Sequence, residues 1–241
     1  SRCTDYDYFG SRRDGAYAEY VVVPPSNVMK VPRELDPAAA AIVDPAAVAL
    51  HAIWKTDVKI GARVAVVGCG PIGLFAVQWF RNMGAREILA VDLSPMKLDL
   101  AKQAGATLVA IDSKEALAAG SFDVVLEAAG HPATVNLAVK LAGPAGEVVF
   151  IGIPVKEVGL EVEAFQHFLR QEVVLNGAWN SFSMPFPGQE WRVAVDELVS
   201  GRLQWKFMVT HDLPLGQLPE TFAALSRNSL EAAKIIFRPS S

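Results

Sequence analysis

With 241 residues, 51% of them hydrophobic and 20% charged, the chain can bury one large or two modest cores, and its composition excludes general disorder. A formal charge of −4 from 22 basic and 26 acidic side chains, with no long run of either sign, argues against a nucleic-acid or membrane partner. The apolar stretches are cut by Gly, Pro or a charge before the roughly 20 residues that a membrane span needs, and no basic-then-apolar leader opens the chain. Its two cysteines, Cys3 and Cys69, make no disulfide framework, so a soluble cytoplasmic protein is expected.

The first residue is Ser1, and residues 1–7 carry neither a cap nor apolar periodicity, so the chain is expected to begin inside a longer protein. Residues 16–23, rich in β-branched and aromatic side chains and preceded by the turn dipeptide Asp14-Gly15, predict a strand that Pro24-Pro25 ends. A second short strand is expected over 28–31, stopping at Pro32. The Ala-rich run 37–54 then predicts helix divided in two by Pro45.

After Gly61 the texture alternates. Apolar strands are expected at 63–67, 87–91, 107–111, 123–127, 147–151 and 173–177, with helices at 72–83, 95–104 and 132–141. Continuous apolar strands separated by helices imply an α/β fold with a parallel sheet covered on both faces, here doubly wound with about six strands. Beyond Trp179 the rhythm stops. A proline-containing loop over 181–188, helices over 189–200 and 215–226 and a last strand over 234–237 are too few for a core of their own, so they are expected to pack with residues 1–43 as a second, incomplete lobe.

The chemistry begins at Gly68-Cys69-Gly70-Pro71-Ile72-Gly73. A dinucleotide pyrophosphate needs backbone amides at a helix N-terminus with no side chain in the way, and a G-x-G-x-x-G turn between a strand and a helix supplies them. The next strand ends at Asp92, about 20 positions on, where a carboxylate accepts hydrogen bonds from a ribose diol. The same carboxylate repels a 2′-phosphate, and Leu93 and Ser94 offer no guanidinium to reward one, so NAD is favoured over NADP. Lys97, one turn into the following helix, either reaches the adenosine ribose or a phosphate or is an ordinary exposed cation.

The four histidines, His51, His131, His167 and His211, lack the spacing of a metal-ligand motif. His51, on the second helical piece near the start of the cofactor domain, is either a proton-relay group or a packing residue. No complete metal site can be assembled from these residues, and no G-x-S-x-G or Cys-His arrangement points to covalent catalysis.

The motifs DGAYAEYVVVP at 14–24, VDPAAVALHA at 43–52 and VAVVGCGPIGL at 64–74, in this order, resemble the zinc-containing medium-chain alcohol and polyol dehydrogenases, and the resemblance covers the whole chain. Residues 5–15 and 179–191 look most like the galactitol-1-phosphate 5-dehydrogenase branch. The resemblance implies a zinc- and NAD-dependent dehydrogenase in which residues 44–178 form the Rossmann domain. Residues 1–43 and 179–241 belong to an incomplete GroES-like catalytic lobe, and most zinc ligands lie in a segment that precedes Ser1. It places Cys3 as the last cysteine of a structural zinc set and Asp44 where polyol dehydrogenases carry a Glu near the catalytic zinc. Asp44 is shorter by one methylene than that Glu; from the residues alone it is a helix-capping carboxylate before Pro45.

The resemblance further puts Ile72, Asp92 and Lys97 on the adenosine side of the cofactor and Gly152, Ile153, Ala178 and Trp179 at its nicotinamide end. It puts Lys234 on a cofactor phosphate. Trp179 is alternatively a core aromatic, and the Arg12-Arg13 pair either binds a sugar phosphate or lies on a solvated loop. Self-association into a homodimer or homotetramer is implied through an edge of the cofactor sheet, with 148–153 and 160–162 as apolar strand material. The substrate implied is a polyol or polyol phosphate. Two rivals stand beside it: a dinucleotide-binding unit or NADH sensor without turnover, and the zinc-free, NADPH-dependent reductase branch, against which Asp92 and Asp44 argue.

Overall fold

The computed structural model describes residues 7–181 and 186–239. In chain order the elements are α1 (Pro37–Ala40), α2 (Val43–Ile53), β1 (Arg63–Val67), α3 (Pro71–Asn82), β2 (Glu87–Val91), α4 (Pro95–Ala104), β3 (Leu108–Ala110), α5 (Ser113–Ala118), β4 (Phe122–Glu127), α6 (Pro132–Leu141), β5 (Ala142–Phe150), α7 (Val162–Gln171), β6 (Val174–Gly177), α8 (Gln189–Val199), β7 (Val209–Pro214), α9 (Leu218–Ser226) and β8 (Lys234–Arg238). Six strands form one parallel sheet in the order β3-β2-β1-β4-β5-β6, the doubly wound dinucleotide-fold order.

Strand alternation assigns the two faces of the sheet. Val64, Val66, Ile88, Ala90, Val124 and Leu126 point into one core with α2, α3 and α4, whereas Ala65, Val67, Leu89, Val91, Val125 and Val148 join a second core with α6. Both faces are covered, which is why these strands read as continuous apolar runs. Buried Gln78 on α3 exchanges two bonds with the Gln204 backbone, at 2.7 and 2.9 Å, and the Trp79 indole donates to Ala46 O at 2.9 Å, so α3 is tied to both flanking segments.

Several expectations are corrected. Residues 16–23 and 28–31 form no strand. Tyr20 and Val22 are each 91% exposed, and β propensity without a neighbouring edge to pair with does not make a strand. The helical run breaks at Ala41 and Ile42, before Pro45, which sits in the first turn of α2; a first-turn amide has no intrahelical acceptor, so proline there removes no bond. The structure adds α5, α7 and β7, for which no element was expected. α5 is capped by Asp112, which accepts from Glu115 N, while Glu115 accepts from Ile111 N.

α8 packs on α2, and Ala194, Val195, Leu198, Leu203 and Met208 enter the same core as β1 and α3. Tyr17 stands edge-on to Phe222 and to Phe237, each at 5.7 Å, and Phe237 lies on the parallel β7–β8 ribbon. Residues 148–153 do not offer a sheet edge, because β5 is paired on both sides and Val148 and Val149 are fully buried; residues 160–162 lead into α7. The edge strands are β3 and β6. Among the described residues no helix is long and apolar enough to cross a membrane.

Candidate functional site: the carboxyl ends of the parallel strands

The chain leaves β1 through Gly68, whose φ of +98° is left-handed and whose amide donates to Val91 O at 2.8 Å. A Cβ on Gly73 would stand 1.9 Å from Gly68 O, so the turn closes on itself with no room for a side chain. α3 then starts at Pro71 with Gly70 as its N-cap and no side chain capping it. Its first-turn amides and the positive end of its dipole face the turn, an arrangement that binds an anionic group such as a diphosphate.

Cys69, inside this turn, is fully buried and its thiol donates to Val91 O at 3.6 Å. Burial, reinforced by the Asp92 charge, pushes the thiol up to about 12, so it stays protonated at neutral pH and serves neither as nucleophile nor as thiolate ligand.

Asp92 points at the turn. Its Oδ2 accepts from Cys69 N at 2.8 Å and its Oδ1 from Ser94 N at 2.9 Å, so the carboxyl is held against the glycine loop at the end of β2. With Gly68, Ser94, Lys97, His131 and Glu231 it borders a cavity of about 700 Å3, within the range of small-molecule and cofactor sites. Ser94 caps α4 and hydrogen-bonds Glu231, a residue delivered from the far end of the chain. Sequence reasoning missed Glu231, because nothing local marks it; only the chain's return brings a further acid beside Asp92.

The same rim continues across the sheet. Gly152 and Ile153 follow β5, Ala178 and Trp179 follow β6, and Ala178 N donates to Phe150 O at 2.9 Å. Gly152 is a close-approach glycine, since a Cβ there would lie 2.2 Å from Gly130 N and 2.7 Å from Glu127 Oε2. Ile153 and Trp179 are exposed along this rim, at 62% and 39%. Glu127, wholly buried at the end of β4, was also missed, although an acid directly after the apolar run 124–126 was a readable signal.

Asp44 and Lys234 influence one another through their charges. Protein crowding around the Asp44 carboxyl raises its pKa, opposed by the Lys234 charge and by a long 3.5 Å contact from Ser181 Oγ. Lys234 is lowered by its own burial and partly restored by Asp44. His51 lies apart, its Nδ1 3.0 Å from Oε1 of buried Glu190, between α2 and α8; burial and Lys55 lower its pKa while Glu190 opposes them. Arg13 pairs with Asp7 and lies 5.7 Å from the Phe9 ring centroid. Cys3 lies outside the described residues.

Among the described residues no three His, Cys, Asp or Glu side chains converge into a group able to hold a metal ion. A cavity of about 420 Å3 at the opposite, amino ends of the strands is bordered by Asp57, Asp123 and Glu147, far from the glycine turn. Two of these acids are engaged locally: Glu147 accepts from Asp57 N and Asn176 Nδ2, and Asp123 from Arg63 N.

Residues 71–200 match the zinc-binding dehydrogenase family. The chain is 34% identical over 248 residues to galactitol 1-phosphate 5-dehydrogenase of Escherichia coli (strain K12), with 99% of this chain and 71% of that relative covered. The crystal structure of galactitol-1-phosphate dehydrogenase from Escherichia coli superposes with a TM-score of 0.88 at 33% identity, covering 96% of this chain and 69% of that one. A solved zinc-binding dehydrogenase of Sinorhizobium meliloti 1021, bound to NADP, gives 0.83 at 31% identity, covering 99% and 69%.

Proposed function

Because the chain belongs to the zinc-binding dehydrogenase family, we propose that it carries the NAD(H)-binding half of an oxidoreductase that moves a hydride between a secondary alcohol of a polyol, or polyol phosphate, and nicotinamide. The observation that carries the cofactor assignment is Asp92, seated on the Cys69 amide beside an uncapped helix start. In this reading the backbone N–H groups of Gly70, Ile72 and Gly73 hold the diphosphate, with Pro71 and Ile72 presenting no obstructing polar group. Asp92 grips the adenosine ribose, with Lys97 beside it. Gly152, Ile153, Ala178 and Trp179 receive the nicotinamide. Asp92 and Glu231 together oppose a 2′-phosphate, which favours NAD here even though one relative binds NADP.

Zinc is implied by the family, and the described residues do not by themselves fit it: Asp44 is a single carboxyl, and among the described residues no group of three candidate ligands forms. The rival reading is a cofactor-binding unit without turnover. The polyol class rests on the galactitol 1-phosphate relative. For self-association we infer a second copy docking along the β6 edge, where Val174 and Leu175 are exposed beside Val162, Phe165 and Leu169 of α7. A cytoplasmic setting suits this chemistry.

A titration of NADH fluorescence is expected to saturate below millimolar cofactor, and no binding at millimolar NADH ends the cofactor reading. Metal analysis with a polyol oxidation assay separates the two readings: zinc with turnover supports the dehydrogenase, NADH binding without either supports the binding unit. Sedimentation of the same sample is expected to give a dimer or larger species that Val174→Lys weakens. A monomer at micromolar concentration removes the β6 assignment.

A further inference from the structure

The carboxyl of Glu127 is fully buried, yet its two oxygens have different surroundings. Oε1 accepts three hydrogen bonds from one short stretch: Ala129 N at 3.0 Å, Gly130 N at 2.8 Å and Thr134 Oγ1 at 2.7 Å. Among the described residues Oε2 has no hydrogen-bond partner, and Glu127 borders an apolar cavity of about 290 Å3 with Phe150, Leu160 and Leu175. A residue present for packing alone would be apolar here, because an unpartnered buried oxygen is destabilising. What the carboxyl provides is a single acceptor that gathers the turn after β4 into one shape.

That turn touches both halves of the rim. On one side a Cβ at Gly68 would meet Ala129 N at 2.9 Å, so the turn backs the phosphate loop. On the other side a Cβ at Gly130 would meet the Ile153 backbone within 2.6 to 2.8 Å, and one at Gly152 would meet Gly130 N at 2.2 Å. Backbones this close transmit a displacement without slack. In addition, Gly152 N and Ile151 N donate to the Glu127 carbonyl, at 3.1 and 2.9 Å. Residue 127 therefore holds the 152–153 segment from its main chain and, through Gly130, from its side chain.

We propose that Glu127 is a positioning residue for the nicotinamide half of the cofactor: by clamping residues 129–134 it sets where Gly152 and Ile153 stand. This rests on the NAD(H) reading above, which places the nicotinamide against those two residues. The adenosine end rests on Asp92 and the β2–α4 junction, which the Glu127 carboxyl does not touch, and meets the clamped segment only where Ala129, His131 and Thr134 border the same cavity, so it is expected to lose less than the nicotinamide end and is the internal control.

The test compares wild type, Glu127→Leu and Glu127→Gln for binding of NADH and of AMP, with the emission of bound NADH as a second readout. Gln keeps the Oε1 acceptor and Leu removes it. Leu is expected to weaken NADH at least about tenfold and to shift its emission, while AMP stays within about twofold and Gln within about threefold of wild type, in line with the steep cost of misplacing a binding group. Retained AMP binding shows that the Leu variant is folded. Equal loss of NADH and AMP, unchanged NADH affinity in Leu, or Gln no better than Leu each overturns the proposal. Failure of wild type to bind NADH would instead strike the cofactor reading on which it stands.

Discussion

Asp92→Ala is expected to lower NADH affinity by about 10- to 150-fold, the equivalent of losing about 1.5–3 kcal/mol of hydrogen bonding to a charged group. Two losses act together. The ribose hydroxyls lose their acceptor, and the amides of Cys69 and Ser94, held at 2.8 and 2.9 Å, lose the group that ties the glycine loop to the start of α4. Asp92→Asn separates them, because the amide retains one oxygen for an N–H while losing the second acceptor, so an intermediate affinity is expected. Adding Glu231→Gln to Asp92→Ala removes both acids from the cavity and is expected to narrow the preference for NADH over NADPH. Calorimetric titration of the three variants with both cofactors checks this, and NADH affinity within twofold of wild type in Asp92→Ala would refute the ribose assignment.

Gly73→Ala should have the largest effect on stability. The added methyl would stand 1.9 Å from Gly68 O and 3.0 Å from Gly68 C, which are backbone atoms of a loop held by Val91 O on one side and Ala129 on the other. No rotamer change relieves a clash with backbone, so the cost is put at the upper end of the overpacking range, about 3 kcal/mol. For a domain of this size that lowers the melting temperature by about 6–12 °C. NADH binding should fall with it, since the turn must open where the diphosphate rests. Gly70→Ala is the matched control: nothing lies within 4 Å of a Cβ there, so its stability should change little in the same thermal melt. A Gly73→Ala protein that melts with wild type would show that the turn has slack the geometry denies.

How much of this was legible beforehand follows the range of the interactions involved. The six sheet strands, the helices expected at 72–83, 95–104 and 132–141, and the glycine turn with Asp92 are set by alternation, helical periodicity and spacing over about 30 residues; these strands and helices form within about one residue of the expected bounds, except that β5 already begins at Ala142. The structure likewise puts Asp92 against the turn because a parallel β1–β2 pair with matched register ends both strands side by side.

The features decided by tertiary structure alone depend on partners far away in the chain. Residues 16–23 have strand composition and no edge to pair with, while β5 looks like exposed strand material until β4 and β6 flank it. His51 has its ring nitrogen met by Glu190, 139 positions on, a partner that no local pattern announces. Glu231 meets Ser94 across 137 positions. Local pattern reports which face of an element seeks burial; it carries no information about which distant backbone or side chain arrives there, and those arrivals decide the second acid of the ribose cavity and the unpartnered oxygen of Glu127.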